Sequence, residues 1–139
     1  VFLFTQAVGR IMVEQRSGKI INMASIMGLG GMTSDIGDCV SYTASKGAVI
    51  NFTKDMAVKL APYNVHVNAI APGFFPTKMA NMGLEVPSFR NTIVEKTPAG
   101  RLGSDFDMKG PALFLASSAS DFVLGQVLAV DGGVNAKAM

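Results

Sequence analysis

Residues 65–71 read VHVNAIA and run directly into Pro72-Gly73. The run is short, uncharged and rich in β-branched side chains, and the Pro-Gly pair punctuates its end, which is the pattern of a strand. Apolar residues nearly fill it instead of keeping strict alternation. A strand of that kind belongs in a parallel sheet covered on both faces. Working outward from it, Ala48, Phe52, Met56 and Leu60 recur every four residues and predict a helix over Val40–Leu60 that Pro62 stops. Before that helix, KIINMAS reads as a second buried strand over Lys19–Ser25, set off by the break at Ser17-Gly18. GLGGMTSDIGD, Gly28–Asp38, reads as the loop between them. Downstream, GQVLAVDGG gives a last strand over Val127–Asp131, with Asp131 as a strand-end turn residue. Short helical pieces separated by Pro87, Pro98 and Gly100 are expected between Phe74 and Gly103. Ser104 is placed to cap a helix running towards Ala116. Pro111 inside that helix is expected to remove a hydrogen bond and bend it. At the start, Val1, Phe4, Val8, Ile11 and Met12 form the apolar face of a helix over about residues 1–16, with Thr5, Arg10, Glu14 and Arg16 outside it. Strands alternating with helices predict an α/β fold with parallel strands.

Composition narrows the function classes. The chain has 139 residues, 49% hydrophobic and 16% charged, enough for one packed domain and too few for two. Its net charge is +2 and its twelve Lys and Arg are scattered, so no basic stripe offers nucleic acid a footprint. The longest uncharged run, Leu60–Thr77, is interrupted by Asn68, Pro72, Gly73 and Pro76 and does not read as a membrane span. The single cysteine, Cys39, has no intramolecular partner, which fits a reduced, cytoplasmic setting. His66 is the one histidine and reads as a structural strand residue. The nine Met read as core filler or the lining of an adaptable pocket, and no metal site is expected.

The chemistry gathers around SYTASK, Ser41–Lys46. In open parallel sheets, ligands bind at the carboxyl ends of the strands. Ser25 ends the first strand and Pro72-Gly73 the second, while Tyr42 and Lys46 begin the helix between them. All converge on one rim. Residues four apart on a helix share a face, with Cβ atoms roughly 6 Å apart. A phenol ionises near pH 10 and is a poor base at neutral pH. A cation at about 6 Å, at an effective dielectric near 20, contributes roughly 3 kcal/mol towards the phenolate, enough to bring a phenol into general acid–base work. Ser25 can then hold an alcohol or carbonyl oxygen while Tyr42 exchanges its proton. A Tyr-x-x-x-Lys pair alone is common on helix surfaces. The ordered set of a strand-end Ser, Tyr-x-x-x-Lys opening a long helix, and a strand ending in Pro-Gly is not.

With INMAS, YTASK, VNAIAPGFFPTKM and GQVLAVDGG in that order over nearly the whole chain, the sequence resembles the C-terminal half of a short-chain dehydrogenase/reductase. The resemblance implies a Rossmann-like doubly wound parallel sheet. Three of its strands are readable here and the N-terminal strands are expected to be absent. Residues 1–139 would then be the C-terminal catalytic and substrate-binding part of a single domain. It also implies hydride transfer between NAD or NADP and a small-molecule carbonyl/alcohol substrate. In that family, the residue matching Ser25 orients the substrate, and that matching Tyr42 is the acid/base. The residue matching Lys46 supports the tyrosine and binds the nicotinamide ribose. Those matching Pro72 and Gly73 let the cofactor approach the backbone. Phe75 matches a main-chain contact to nicotinamide, and Thr77 a hydrogen bond to the cofactor's carboxamide or phosphate end.

The family's phosphate-binding glycines, its cofactor selector and its catalytic asparagine fall outside this chain. The interval from Ser25 to Tyr42 is longer than the family pattern. MASIMGLGG and PGFFPTKM resemble enzymes acting on a sugar acid or a 3-oxoacyl thioester. The helices at 1–16 and 40–60 match those that pair subunits, implying a homodimer or homotetramer. The alternative reading is a catalytically inactive fragment acting as a subunit-assembly module.

Overall fold

A computed structural model describes residues 1–137 except 32, 35 and 38, with the backbone alone at 79, 81 and 82. Three strands, β1 (Gly18–Met23), β2 (Val65–Pro72) and β3 (Val127–Val130), lie side by side in that order and all run parallel. Ile20 is opposite Val67, and Ala69 is opposite Val127. β2 is the middle strand, and every residue from Val65 to Ala71 is buried. That double cover is the reason its sequence carries so few polar groups. Its two polar residues are buried as well. Asn68 donates to the Val123 carbonyl at 2.7 Å and accepts from the Gln126 N–H at 2.9 Å, tying down the chain that enters β3. His66 sits within β2, as a structural strand residue should, although its buried Nδ1 has no hydrogen-bond partner among the described residues.

Five α-helices complete the described fold: α1 (Phe2–Gln15), α2 (Val40–Leu60), α3 (Lys78–Leu84), α4 (Pro87–Lys96) and α5 (Asp105–Ala116). α1 and α2 cover one face of the sheet. Ala57 and Leu60 of α2 join Ile20, Val65 and Val67 in one cluster, with Val8, Met12 and Val13 of α1 packed against it. At the carboxyl end of the strands, Ile50 joins Ala24, Ala69 and Ala71 in a second cluster. The small side chains there let α2 lie close to the sheet beneath the rim.

The helix faces differ from the sequence reading. In α1 the buried residues are Thr5 and Gly9, whereas Phe4 is 73% exposed and Ile11 56%. α1 is apolar around most of its circumference, so periodicity selects no unique stripe. The helix instead approaches its neighbours along its smallest residues, with Gly9 against Leu60. In α2 the buried line is Ile50, Thr53, Ala57 and Leu60, with Phe52 and Met56 on its flank and Ala48 exposed. Boundaries shift slightly too. β1 stops at Met23, because Ser25 already caps a short 3-10 turn over Ile26–Gly28. Pro87 separates α3 from α4 as read, and it does so as the first residue of α4, a position where its missing N–H costs nothing.

α5 is capped as read, and more thoroughly. Ser104 and Asp107 form a capping box, and Arg101 donates to both Asp107 carboxylate oxygens at 2.7 and 2.8 Å. The helix runs through Pro111 to Ala116. The hydrogen bond from Arg101, then those from the Ser104 hydroxyl and N–H, hold Asp107 well below the ordinary carboxylate range. A carboxylate depressed in the folded state stabilises the fold above its unfolded value, near pH 3.9, and loses that contribution as pH falls through its folded value. The thermal midpoint of the Asp107→Asn variant should therefore lie below that of the wild type by a constant margin from pH 8 to about pH 5. The margin should narrow below about pH 4. A margin that widens in acid would show that the sign is wrong.

Candidate active site

The carboxyl ends of β1 and β2 and the start of α2 border a cleft of about 640 Å³, and Ser25, Tyr42, Lys46, Pro72, Gly73, Phe75 and Thr77 all line it. A groove of about 770 Å³ elsewhere, between α2 and the chain entering β3, contains none of these residues. The spread of the site residues over 53 positions of sequence, from 25 to 77, collapses onto one rim because parallel strands all end on the same side.

Lys46 reaches from α2 back to the end of β1, where its ammonium donates to the Met23 carbonyl at 2.9 Å. On the way it passes the Tyr42 ring, with Nζ 5.5 Å from the ring centroid. An ammonium has three donors, so two remain for a ligand. Ser25 is 6% exposed and its Oγ accepts the Met27 N–H at 3.2 Å. That contact uses a lone pair and leaves the hydroxyl hydrogen available to a substrate oxygen.

Two further contacts set these groups relative to one another. A Cβ at Gly28 would stand 2.6 Å from the Lys46 carbonyl carbon and 2.8 Å from the Gly47 nitrogen. The turn carrying Ser25 thus touches the backbone of the helical turn that carries Lys46. Deeper in, Asn22 of β1 donates to Thr53 Oγ1 at 2.9 Å, and Thr53 passes its own hydrogen to the Val49 carbonyl at 2.8 Å.

On the other side of the cleft, Gly73 leans on the end of β3. Its N–H donates to the Val130 carbonyl at 2.9 Å, and a Cβ there would meet Asp131 at 2.8 Å. Asp131 is the turn residue expected, accepting the Gly133 and Asn135 N–H groups. The Phe75 ring packs on Gly103, where any side chain would collide with it at 2.4 Å. Thr77 lines the cleft and also caps α3, its hydroxyl accepting the Ala80 N–H at 3.3 Å. Cys39 is exposed, immediately before α2, and lines the cleft as well.

Sequence reasoning missed Gly28, read as the first residue of a loop, and singled out no individual residue of one apolar wall of the cleft, although the resemblance implies a substrate lid over Phe74–Phe89. That wall includes Ile36, Leu84 and Phe89, brought together from the 28–39 loop, α3 and α4. Of the loop over which the Ser25–Tyr42 interval exceeds the family pattern, Met32, Asp35 and Asp38 lie outside the described residues. Among the described residues no group of His, Cys, Asp or Glu is arranged to hold a metal ion, and no helix is long and apolar enough to cross a membrane.

A family model described as Enoyl-(Acyl carrier protein) reductase matches residues 1–135. The chain is 47% identical over 136 residues to a 5-keto-D-gluconate 5-reductase of Escherichia coli K12, covering 96% of this chain and 51% of that protein. It is 41% identical over 134 residues to a 3-oxoacyl-(acyl-carrier-protein) reductase of Thermotoga maritima, covering 96% and 52%. Among solved structures, it superposes on a gluconate 5-dehydrogenase from Burkholderia cenocepacia, in complex with NADP and tartrate, with a TM-score of 0.90 and 40% identity, covering 96% of this chain and 51% of that one. The three-stranded sheet is thus part of a Rossmann-like α/β fold. The chain spans about half the length of the curated relatives it matches.

Proposed function

Because the chain belongs to the short-chain dehydrogenase/reductase family, we propose that the protein carrying it is an NAD(P)-dependent oxidoreductase acting on a carbonyl/secondary alcohol pair. Residues 1–139 would supply the C-terminal catalytic and substrate-binding part of a single domain. The observation that carries this reading is the placement of Lys46: one ammonium, 5.5 Å from the Tyr42 ring and 2.9 Å from the Met23 carbonyl, on the rim that Ser25 also lines.

The cleft fits a nicotinamide nucleotide. Its volume of about 640 Å³ lies in the range of small-molecule sites, Lys46 has donors to spare, and Pro72–Thr77 line it without a break. We assign Lys46 to the ribose hydroxyls, Pro72-Gly73 and Phe75 to backbone contact with the nicotinamide, and Thr77 to its carboxamide or phosphate end. When bound, NAD or NADP supplies or accepts the hydride. In reduction, the Ser25 hydroxyl donates to the carbonyl oxygen and holds it beside Tyr42. Tyr42 gives its phenolic proton to that oxygen as the carbon gains hydride, so ketone becomes alcohol with one hydride and one proton added. In oxidation Tyr42 takes the proton back. The Lys46 ammonium lies beside the Tyr42 ring in both directions and offsets the negative charge of the deprotonated phenol.

The named substrates of the relatives, a keto-gluconate and a 3-oxoacyl chain, each carry such a carbonyl, and either class is consistent with this chemistry. A homodimer or homotetramer would form through α1 and α2. Phe2, Leu3, Phe4 and Ile11 of α1 are exposed apolar side chains, and Phe2 stacks edge-on against Phe52 of α2 at 5.8 Å. A reduced, cytoplasmic setting fits the single cysteine. The inactive assembly-module reading is not favoured, since the chain keeps the full Ser25, Tyr42 and Lys46 set and its named relatives are reductases and dehydrogenases.

The test is a cofactor titration of the intact protein. Lys46→Met removes charge-assisted hydrogen bonds worth about 1.5–3 kcal/mol each, so Kd for NADH or NADPH should rise roughly ten- to a hundredfold. Lys46→Arg keeps the charge with a different donor geometry and should restore only part of it. An unchanged Kd for both cofactors in Lys46→Met would refute the assignment.

A further inference from the structure

From the chemistry of the cleft wall we infer that the site takes an uncharged ketone, or its secondary alcohol, with a hydrocarbon skeleton beside the reacting carbon, and that it disfavours a sugar acid. This builds on the oxidoreductase reading above and narrows its substrate class.

The cleft is lined in part by Ile26 and Met27 of the 3-10 turn, Ile36 of the following loop, Leu84 of α3 and Phe89 of α4. None of these side chains offers a hydrogen-bond donor. Lys46 and Asp105 are the only charged side chains among the described residues lining the cleft. Lys46 already donates to Met23 and, in the reading above, to the cofactor. Asp105 repels a carboxylate. Lys78 and Arg90, the basic residues nearest Leu84 and Phe89 in sequence, are exposed and do not line the cleft.

Along these apolar residues, among the described ones, a sugar acid would lose water from its carboxylate without a cation to replace it. A hydrocarbon skeleton loses nothing of that kind and gains from burial, about fourfold in binding per methylene. The Met and Leu side chains can adjust around such a ligand.

The test is steady-state reduction by the intact protein with its preferred nicotinamide cofactor. The probes are the 2-alkanones from butan-2-one to octan-2-one, and 5-keto-D-gluconate. kcat/KM should climb about fourfold per added methylene until the cleft is filled. The keto acid should fall at least about a hundredfold below the best ketone, the scale on which a polar group mismatched to its pocket is rejected. Ile36→Arg, which places a cation on the wall, should narrow that gap at least about tenfold. Preference for 5-keto-D-gluconate, or no dependence on alkanone length, would overturn the substrate class while leaving the oxidoreductase reading intact. Failure to reduce any of these carbonyls with cofactor bound would overturn both.

Discussion

Tyr42→Phe is expected to lower kcat of the intact protein at least about a hundredfold, the lower end of what a general acid–base group contributes, with cofactor affinity little changed. The substitution deletes one oxygen and keeps the ring. The Lys46 ammonium is held by the Met23 carbonyl and lies against the ring face, so its place does not depend on the hydroxyl. The Ser25 turn is held by its own cap and by Gly28, so the oxygen-binding side of the site also stays. Only the transferable proton is lost. Steady-state turnover and a cofactor titration on the same preparation separate the two effects. Turnover within a few fold of the wild type would remove Tyr42 from the chemistry.

Gly28→Ala should be nearly as damaging without touching any reacting group. Its new methyl would stand 2.6 Å from the carbonyl carbon of Lys46 and 2.7 Å from its oxygen, and helical backbone cannot turn aside as a side-chain tip can. Either the Ser25 turn or the Lys46 turn must retreat. Overpacking of this kind costs about 1–3 kcal/mol of stability, and a displacement near 1 Å at a catalytic constellation costs about a hundredfold in rate. The expected result is a folded protein with a lowered thermal midpoint and kcat reduced by one to two orders of magnitude. Gly30→Ala and Gly31→Ala are the controls, because among the described residues nothing lies within 4 Å of a Cβ at either position. Wild-type turnover in Gly28→Ala, or equal losses in the controls, would show that the close approach does not set the geometry.

The parts legible in the sequence were those decided locally. VHVNAIA declares a doubly covered strand through its own composition, and the Tyr42–Lys46 spacing places two side chains on one helical face whatever surrounds them. α2 runs over the span its periodicity and Pro62 indicate, Val40–Leu60. What stayed hidden depends on contacts between distant segments. Thr5, read as outside the apolar face of α1, is 2% exposed, because that helix meets its neighbours along a line of small residues. Ile36, Leu84 and Phe89 share a wall only after three connections have folded over the rim. Gly28 owes its identity to a carbonyl eighteen positions away. No spacing rule reports any of these.

The buried pair Asn22–Thr53 gives the rim an angular reference. Apolar packing resists separation of α2 from the sheet but scarcely resists spinning the helix about its own axis, since one methyl replaces another at similar energy. A hydrogen bond is directional. With Asn22 fixed in β1 and Thr53 also bonded to Val49, the contact at 2.9 Å is satisfied at one azimuth of the helix. On a helix about 10–12 Å across, a spin of 10° swings a side-chain tip by roughly 1 Å. Tyr42 and Lys46 lie about three and two turns, respectively, from Thr53 on the same rigid rod. A strand asparagine that does not line the cleft thereby acts as a rotational key for the Tyr42 phenol, indexing it to the carboxyl end of the sheet.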